Sequence, residues 1–417
     1  MTLIPLNSKT SRIPDVFPAI SRLRNTAYLT KAGGALLGDS KKLLKKIPDG
    51  SVDLIFTSPP FALRRKKSYG NEDADHYVSW FLGFAREFHR VLKDTGSLVI
   101  DIGGSWTPGE PTKSLYHYRL LLALVDRVGL HLAQEVFWYN EARLPTPAQW
   151  VCRDRVRLKD AVNMVWWLSK TSRPKADNRR VLTEYKPDQK KLIESNVYNR
   201  GRRPSEHVIS DKFGKNNGGA IAPNFLDKKI FDALIPESLG NGMAPMVLAL
   251  AANTAEDTTE DGVPEPENLI RAANTASSDR YIRGCKAIQA QLHPARIPHV
   301  LPDFFIRFLT ERGDLVLDPF AGSNVTGAVA EDLDRVWLAM EMDPNYLFAS
   351  QTRFVEDPTA LFATCPRFIR LAERTGADFS YIRPEPSQAS LLKADTASIS
   401  DGLFGEGTEE LRTGEIG

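Results

Sequence analysis

The chain has 417 residues, 42% of them hydrophobic, enough to bury a full core and hold one large catalytic domain with a second module or long insertions. Fifty-four basic and 52 acidic side chains leave a formal charge of +2, so any affinity for a polyanion must come from where the charges sit. Cys152, Cys285 and Cys365 stand far apart with no C-x-x-C pairing, which argues against a disulfide framework or structural zinc and for a reducing compartment. The first fourteen residues lack an apolar core of signal-peptide length, and the longest apolar run, 243–252, is too short to cross a bilayer. A cytoplasmic protein without a resident metal or a membrane partner is expected.

A short basic amphipathic stretch at 40–47 precedes the turn signal Pro48-Asp49-Gly50, and 52–56 then reads as a buried strand running into Thr57-Ser58-Pro59-Pro60-Phe61. Tyr77, Trp80, Phe81, Phe84, Phe88, Val91 and Leu92 recur at helical spacing, and Asp94-Thr95-Gly96 turns the chain into a strand at 98–102. The alternation repeats with a helix at 120–128, a strand at 136–139 and a further apolar segment at 161–168; Trp138, Trp166 and Trp167 read as core. Such alternation predicts a mostly parallel sheet covered by helices.

Between 171 and 230 the texture changes to Asn, Gly and Pro, with fourteen Lys or Arg against seven Asp or Glu, a local charge of +7. An acidic stretch at 251–279 follows, with Ala-Ala-Asn-Thr-Ala at 251–255 and again at 272–276. Two copies are too few for a solenoid, so a flexible insertion is expected. Regular structure resumes near His293, with Phe304, Phe305, Phe308 and Leu309 on a helical face before Gly313, and from 384 onward the sequence reads as a disordered tail.

Two loops carry chemistry. Asp318-Pro319-Phe320-Ala321-Gly322-Ser323-Asn324 follows a strand at 315–317 and opens a helix at 325–333; a second strand at 336–340 ends in Glu341. In an open α/β sheet such a turn lets a ligand approach backbone amides at a helix start, while an acid ending the next strand accepts hydrogen bonds from ribose hydroxyls. Gly322 and Gly327 do not fit G-x-G-x-x-G, and Ala328 stands where a phosphate-cradling loop needs lysine, so a dinucleotide and a nucleoside triphosphate are disfavoured. In Thr57-Ser58-Pro59-Pro60-Phe61 the prolines fix the backbone and the aromatic ring can stack on a base. The Ser58 hydroxyl and the Pro59 carbonyl can both accept from an amino group and draw off positive charge as it attacks a methyl donor.

Ser58-Pro59-Pro60-Phe61 resembles the catalytic motif of amino-group DNA methyltransferases, and Asp318 to Asn324 resembles their S-adenosylmethionine motif. The resemblance implies that Asp318, Phe320, Gly322, Ser323 and Asn324 hold the cofactor, that Glu341 binds its ribose and Asp39 its adenine, and that His293 and Arg296 close over the methionine end. The family commonly has a second glycine where this chain has Asn324, a residue that tolerates left-handed backbone. Catalytic motif first and cofactor motif last is the permuted order of the beta class. The fold implied is α/β, a Rossmann-like S-adenosylmethionine-dependent methyltransferase sheet, circularly permuted, with an inserted target recognition region. The divisions expected are an amino-terminal extension at 1–33, a catalytic half at 34–170, a target recognition region at 171–290, a cofactor half at 291–383 and a tail at 384–417.

The partner expected is double-stranded DNA, with Arg64, Arg65, Lys66, Lys67, Arg200, Arg202 and Arg203 as candidate phosphate contacts. A restriction endonuclease acting on the same site, without a stable complex, is the partner that a restriction-modification system implies. No cysteine follows a proline in the manner of carbon-5 enzymes, so a base amino group is the target. Serine before Pro-Pro resembles the cytosine-N4 type, whereas Asp or Asn there resembles the adenine-N6 type. Adenine, an RNA base and a nucleotide-dependent oxidoreductase stay open as alternatives at this point.

Overall fold

The computed structural model describes residues 24–62, 73–74, 76–140, 143–197, 201–202, 204–209, 214–235 and 279–379. Their main strands are β1 (Thr26–Leu29), β2 (Gly33–Leu37), β3 (Val52–Thr57), β4 (Leu92–Ile102), β5 (His131–Tyr139), β6 (Val162–Ser169), β7 (Phe225–Leu226), β8 (Leu315–Asp318) and β9 (Val336–Glu341). They join into one nine-stranded sheet of order β1-β2-β9-β8-β3-β4-β6-β5-β7. The helices are α1 (Ser40–Leu44), α2 (Tyr77–Val91), α3 (Tyr116–Asp126), α4 (Pro187–Ser195), α5 (Lys228–Asp232), α6 (Arg280–Ala287), α7 (Val300–Leu309), α8 (Val325–Asp332), α9 (Pro344–Ser350) and α10 (Cys365–Thr375).

Pairing is parallel from β2 through β9, β8 and β3 to β4. β6 runs antiparallel to both β4 and β5. Among the described residues between β5 and β6 the helical structure is a one-turn π-helical segment, and without a crossover two successive strands pair as a hairpin. From β3 the chain crosses through α2 to β4 on one side; from β8 it crosses through α8 to β9 on the other. The strand order therefore reverses between β3 and β8, and in open α/β sheets ligands bind beyond the carboxyl ends of the strands at such a point.

Period-two alternation fills both faces. Ile55, Leu98, Ile100, Trp166, Leu168, Leu317 and Leu338 join α1, α2 and α3 in one buried cluster built on Tyr77, Phe81, Phe84 and Phe88. On the other face Phe56 meets Phe305 of α7 at 5.9 Å between ring centres, and Trp167 meets Phe308 edge-on at 5.0 Å. The neighbours Trp166 and Trp167 thus anchor opposite layers, as adjacent residues of one strand must.

The structure departs from the sequence reading in places. β1 and β2 were not anticipated: both are short, and Gly33 and Gly34 dilute the apolar signal. β1 pairs with β2 inside the main sheet, so the residues from Thr26 on, expected in an amino-terminal extension, belong to the sheet. The expected turn at Asp94-Thr95-Gly96 is a bulge within β4, where Val52 faces Leu92 but Leu54 faces Ser97. The acidic insertion at 251–279, except Asp279, and the tail at 384–417 lie outside the described residues. No helix among the described residues is long and apolar enough to cross a membrane.

Phe305 is fully buried between Phe56 and Phe304. Phe305→Ala is expected to cost about 3 to 5 kcal/mol, read as a lower denaturation midpoint with an unchanged slope.

Candidate active site

The carboxyl ends of β3 and β8 open into a cavity of about 470 Å³, lined by both sequence loops. Asp318 pins them together. Its Oδ1 accepts the Thr57 hydroxyl at 2.8 Å and the Phe320 amide at 3.1 Å, while Oδ2 accepts the Thr326 hydroxyl at 2.7 Å. Burial pushes its carboxyl up to about 6 against these three donors. Asp318 therefore acts chiefly beneath the cavity, tying the catalytic strand to the cofactor turn and to the first turn of α8.

On the cofactor side, Gly322 has φ 51, and a Cβ there would stand 2.9 Å from His293 Nε2, so the turn and the His293 segment approach closely only because the residue is glycine. Glu341, half-buried at the rim, accepts the Gly322 amide at 2.8 Å on one oxygen and the Met342 and Asp343 amides at 2.8 and 2.9 Å on the other. Its desolvation outweighs those amides and raises it to about 7. Asp39 caps α1 by accepting the Lys41 amide at 2.9 Å and also lines the cavity; Ser40 donates to the Pro319 carbonyl at 2.5 Å. Phe320 packs edge-on against Phe84 at 5.0 Å and beside Trp80 at 6.0 Å, which makes an aromatic wall.

His293 and Arg296 line the cavity too, with Arg296 donating to the His293 carbonyl at 2.8 Å. Burial lowers His293 to about 4, so the ring is neutral; its Nδ1 donates to the Ala295 carbonyl, which leaves Nε2 as an acceptor. Arg353 links this segment to the turn: it donates to the Ser323 carbonyl at 2.7 Å and hydroxyl at 3.2 Å, and pairs with Asp279 at 3.3 Å. Its guanidinium lies 4.6 Å from the centre of the Tyr281 ring, and the Tyr281 hydroxyl accepts the His293 amide at 3.0 Å.

On the other side, the Ser58 hydroxyl donates to Asp101 Oδ2 at 3.2 Å, Asn163 donates to Asp101 Oδ1 at 3.3 Å, and Arg143 donates to Asn163 Oδ1. Burial raises Asp101 to about 6. The Tyr77 hydroxyl donates to the Pro60 carbonyl at 2.9 Å and Tyr116 donates to the Gly103 carbonyl. The Phe61 ring lies over Gly103, where a Cβ would come within 2.6 Å of it. The catalytic loop is thereby held from two helices and from the end of β4.

Ser58, Pro59, Pro60, Phe61, Asp39, Asp318, Phe320, Gly322, Ser323, Glu341, His293 and Arg296 all meet at this one cavity. Asn324 does not. Fully buried at φ 53, it caps α8 by accepting the Gly327 amide at 3.1 Å and donates to the Tyr28 hydroxyl at 3.0 Å. It supports the turn from below, and its left-handed backbone explains how asparagine replaces the usual glycine. Arg202 is exposed, paired with Glu206 at 3.1 Å, and away from the cavity wall. Arg64, Arg65, Lys66, Lys67, Arg200 and Arg203 lie outside the described residues. Two cations of the basic segment are structural: Lys175 pairs with Asp314 at 2.6 Å and Glu311 at 3.1 Å, and Arg180 with Glu311 at 2.8 Å.

Sequence reasoning missed Asp101, Asn163 and Trp138 on the cavity wall, and Arg353 behind it. A signal existed for Asp101: one acid inside the apolar run Leu-Val-Ile-Asp-Ile must find partners or stay protonated. Trp138 proves to be core and cavity wall together.

The walls suit S-adenosylmethionine. Asp39, Asp101, Asp318 and Glu341 face Lys41 and Arg296, a carboxylate-rich lining that favours a cationic sulfonium ligand over phosphates. The volume is that of a small-molecule pocket, the aromatic wall offers a face for a purine, and Glu341 offers a carboxylate for vicinal hydroxyls.

A family model described as DNA methylase, of the N6 and N4 type, matches residues 52–352. The chain is 41% identical over 336 residues to the type II methyltransferase M.PvuII of Proteus hauseri, spanning 80% of this chain and 87% of that one. It is 23% identical over 351 residues to M.Cfr9I of Citrobacter freundii, covering 82% and 94%. Among solved structures, the cytosine-N4-specific PvuII DNA methyltransferase superposes with a TM-score of 0.58 at 35% identity, covering 83% of this chain and 95% of that one.

Arg353→Met removes the charge-assisted bonds to Ser323, each worth about 1.5 to 3 kcal/mol. Calorimetry is expected to show S-adenosylmethionine binding weakened at least about tenfold with duplex affinity unchanged. Ionised Glu341 is the stronger acceptor for hydroxyls, so the cofactor's dissociation constant should fall as pH rises through about 7, a dependence that Glu341→Gln abolishes.

Proposed function

The chain belongs to the DNA methylase family of amino-group enzymes and has the α/β fold of S-adenosylmethionine-dependent methyltransferases, and from that premise we propose that it methylates the exocyclic N4 of a cytosine flipped out of double-stranded DNA. The observation that carries the reading is the hydrogen bond from Ser58 to Asp101 at the mouth of the catalytic loop. The methyltransferase of known structure that shares 35% of its residues is cytosine-N4-specific by name. By the same likeness to type II enzymes, the chain works in the cytoplasm as the modification half of a restriction-modification system, beside an endonuclease that acts on the same site. Candidate phosphate contacts at 64–67 and around Arg202 remain part of this proposal.

S-adenosylmethionine, when bound, supplies an electrophilic methyl on a sulfonium; Gly322, Ser323, Phe320, Glu341, Asp39 and the His293–Arg296 segment would hold it. An exocyclic amino nitrogen is a poor nucleophile because its lone pair is delocalised into the ring. Since the Ser58 proton points to Asp101, the Ser58 oxygen presents lone pairs to the amino group, which orients it and favours the nitrogen that is losing a proton. The proton given up by the amine passes to Ser58 Oγ as the Ser58 proton passes to Asp101 Oδ2. Phe61, fixed over Gly103, provides a ring face for the extruded base. Asn163, braced by Arg143, holds the other Asp101 oxygen.

Asp101 must be ionised to serve, so turnover is expected to fall as pH drops through about 6. The effect on stability has the opposite sign. Burial raises this carboxyl above its unfolded value, so the stability it contributes is present below the ordinary aspartate range and is lost as pH rises through about 6. Asp101→Asn should lower turnover about a hundredfold or more and erase the pH 6 inflection, while cofactor and duplex binding persist. Activity indifferent to this change would remove Asp101 from the proton path.

The product decides the target. Duplex DNA labelled with the transferred methyl, digested to nucleosides and separated by mass and retention, is expected to yield N4-methylcytosine. N6-methyladenine would keep the amino-group mechanism and correct the base; 5-methylcytosine would overturn the mechanism.

A further inference from the structure

The connection between β5 and β6 rises from the same end of the sheet as Ser58 and Asp101. Its roots are on the cavity wall: Trp138 and Asn163 are register partners on β5 and β6 and both line the cavity. Residues 143–160 of this connection hold five Arg or Lys against two Asp. Three large apolar side chains among them are open to solvent, Leu144 at 72%, Val156 at 61% and Leu158 at 89% exposure. Three large apolar side chains exposed among cations in one short connection suit a contact surface more than a solvated loop.

The segment is also built, not slack. The Arg157 guanidinium lies 3.6 Å from the centre of the Trp106 ring and donates to the Pro111 carbonyl at 3.0 Å, and Trp150 meets the same ring edge-on at 6.2 Å. Lys113 pairs with Asp160 at 3.3 Å, and the Gln149 amide donates to Asp154 at 2.8 Å, so both acids are engaged. Arg153 and Arg155 stay exposed on top, Arg155 held in left-handed backbone at φ 55.

We propose that residues 143–160 form a wall on which duplex DNA docks beside the cavity, with Arg153 and Arg155 on phosphates and Val156 and Leu158 against the sugar and base surface uncovered as a base leaves the stack. The inference rests on the reading that this enzyme extrudes a base from a duplex. Charge selects the occupant: five cations against two acids, one of them ion-paired with Lys113, complement a polyanion. The apolar side chains complement the base surface exposed when stacking is broken, as apolar wedges do at kinked steps.

The two contact types respond differently to salt, which makes the proposal testable on the full-length protein with a fluorescent mixed-sequence duplex. Arg153→Ala/Arg155→Ala should weaken binding at low salt about tenfold or more and flatten the log-log salt slope by about 2, since two fewer phosphates are neutralised. Leu158→Ser should weaken binding several-fold at every salt concentration and leave the slope unchanged, because apolar contact releases no counterions. Both variants should bind S-adenosylmethionine like the parent chain by calorimetry, which establishes that the cavity is intact. If the parent chain binds duplex and the variants match it in affinity and slope, the wall is wrong and the enzyme's function stands. If the parent chain neither binds nor methylates duplex DNA, the functional reading itself fails. Sedimentation showing that Leu158→Ser splits a dimer with DNA affinity intact would make this face a contact between copies and overturn the proposal.

Discussion

Asp318 sits buried at the end of β8 with Thr57 on one oxygen and Thr326 on the other, and the rest of the site is placed from it. Thr57 and Asp318 are 261 positions apart in sequence, yet their strands are nearest neighbours in the sheet. Because the carboxylate fixes the last residue of the catalytic strand against the start of the cofactor helix, the Ser58 loop and the Gly322 turn share one cavity with little freedom between them. Two hydroxyls and one amide compensate the ion, but not enough to offset its desolvation, and its carboxyl stays near 6. Such a group is expensive to keep charged. It holds the Ser58 loop and the Gly322 turn at a fixed separation across the cavity.

Carboxylates concentrate on the cavity wall. Inside, carboxylates at Asp39, Asp101 and Glu341 line the pocket with Asp318, and burial raises Asp101, Asp318 and Glu341. At the surface, cations from two segments have different partners. Lys175 and Arg180 fasten the basic segment to Glu311 and Asp314 on the cofactor half, whereas Arg153 and Arg155 lie exposed over the β5–β6 connection. A net charge of +2 conceals this arrangement. An acidic lining suits a cationic ligand and the excess of cations in the β5–β6 connection suits a polyanion, so the two ligands proposed for this chain would occupy different surfaces.

Much of the site was legible because it sits where strands end. Apolar runs bounded by turn residues give β3, β8 and β9 directly, and the motifs Ser58-Pro59-Pro60-Phe61 and Asp318 to Asn324 follow two of them. The spacing of Glu341 from Asp318 then suggests a nucleoside site before any coordinates. Asp39 illustrates how two roles coexist at one position, since the same carboxylate caps α1 and faces the cavity. Asn324 shows the limit of reading by motif: its place in the turn suggests a cofactor contact, but its side chain points into the core to cap α8 and meet Tyr28.

By itself the sequence determined the order of elements from β3 to β6 and from β8 to β9 and the permuted arrangement of the two motifs, because these depend on local periodicity and residue identity. Which distant residues complete the pocket was settled only by tertiary structure. Asp101 lies on the strand paired with the catalytic one, Asn163 on the next, and Arg353 behind the cofactor turn, and none is near Ser58 or Gly322 in sequence. Lateral pairing of strands carries no signature in the order of residues along either strand. The hydrogen bond from the Ser58 hydroxyl to Asp101 comes into being only when β3 and β4 lie side by side.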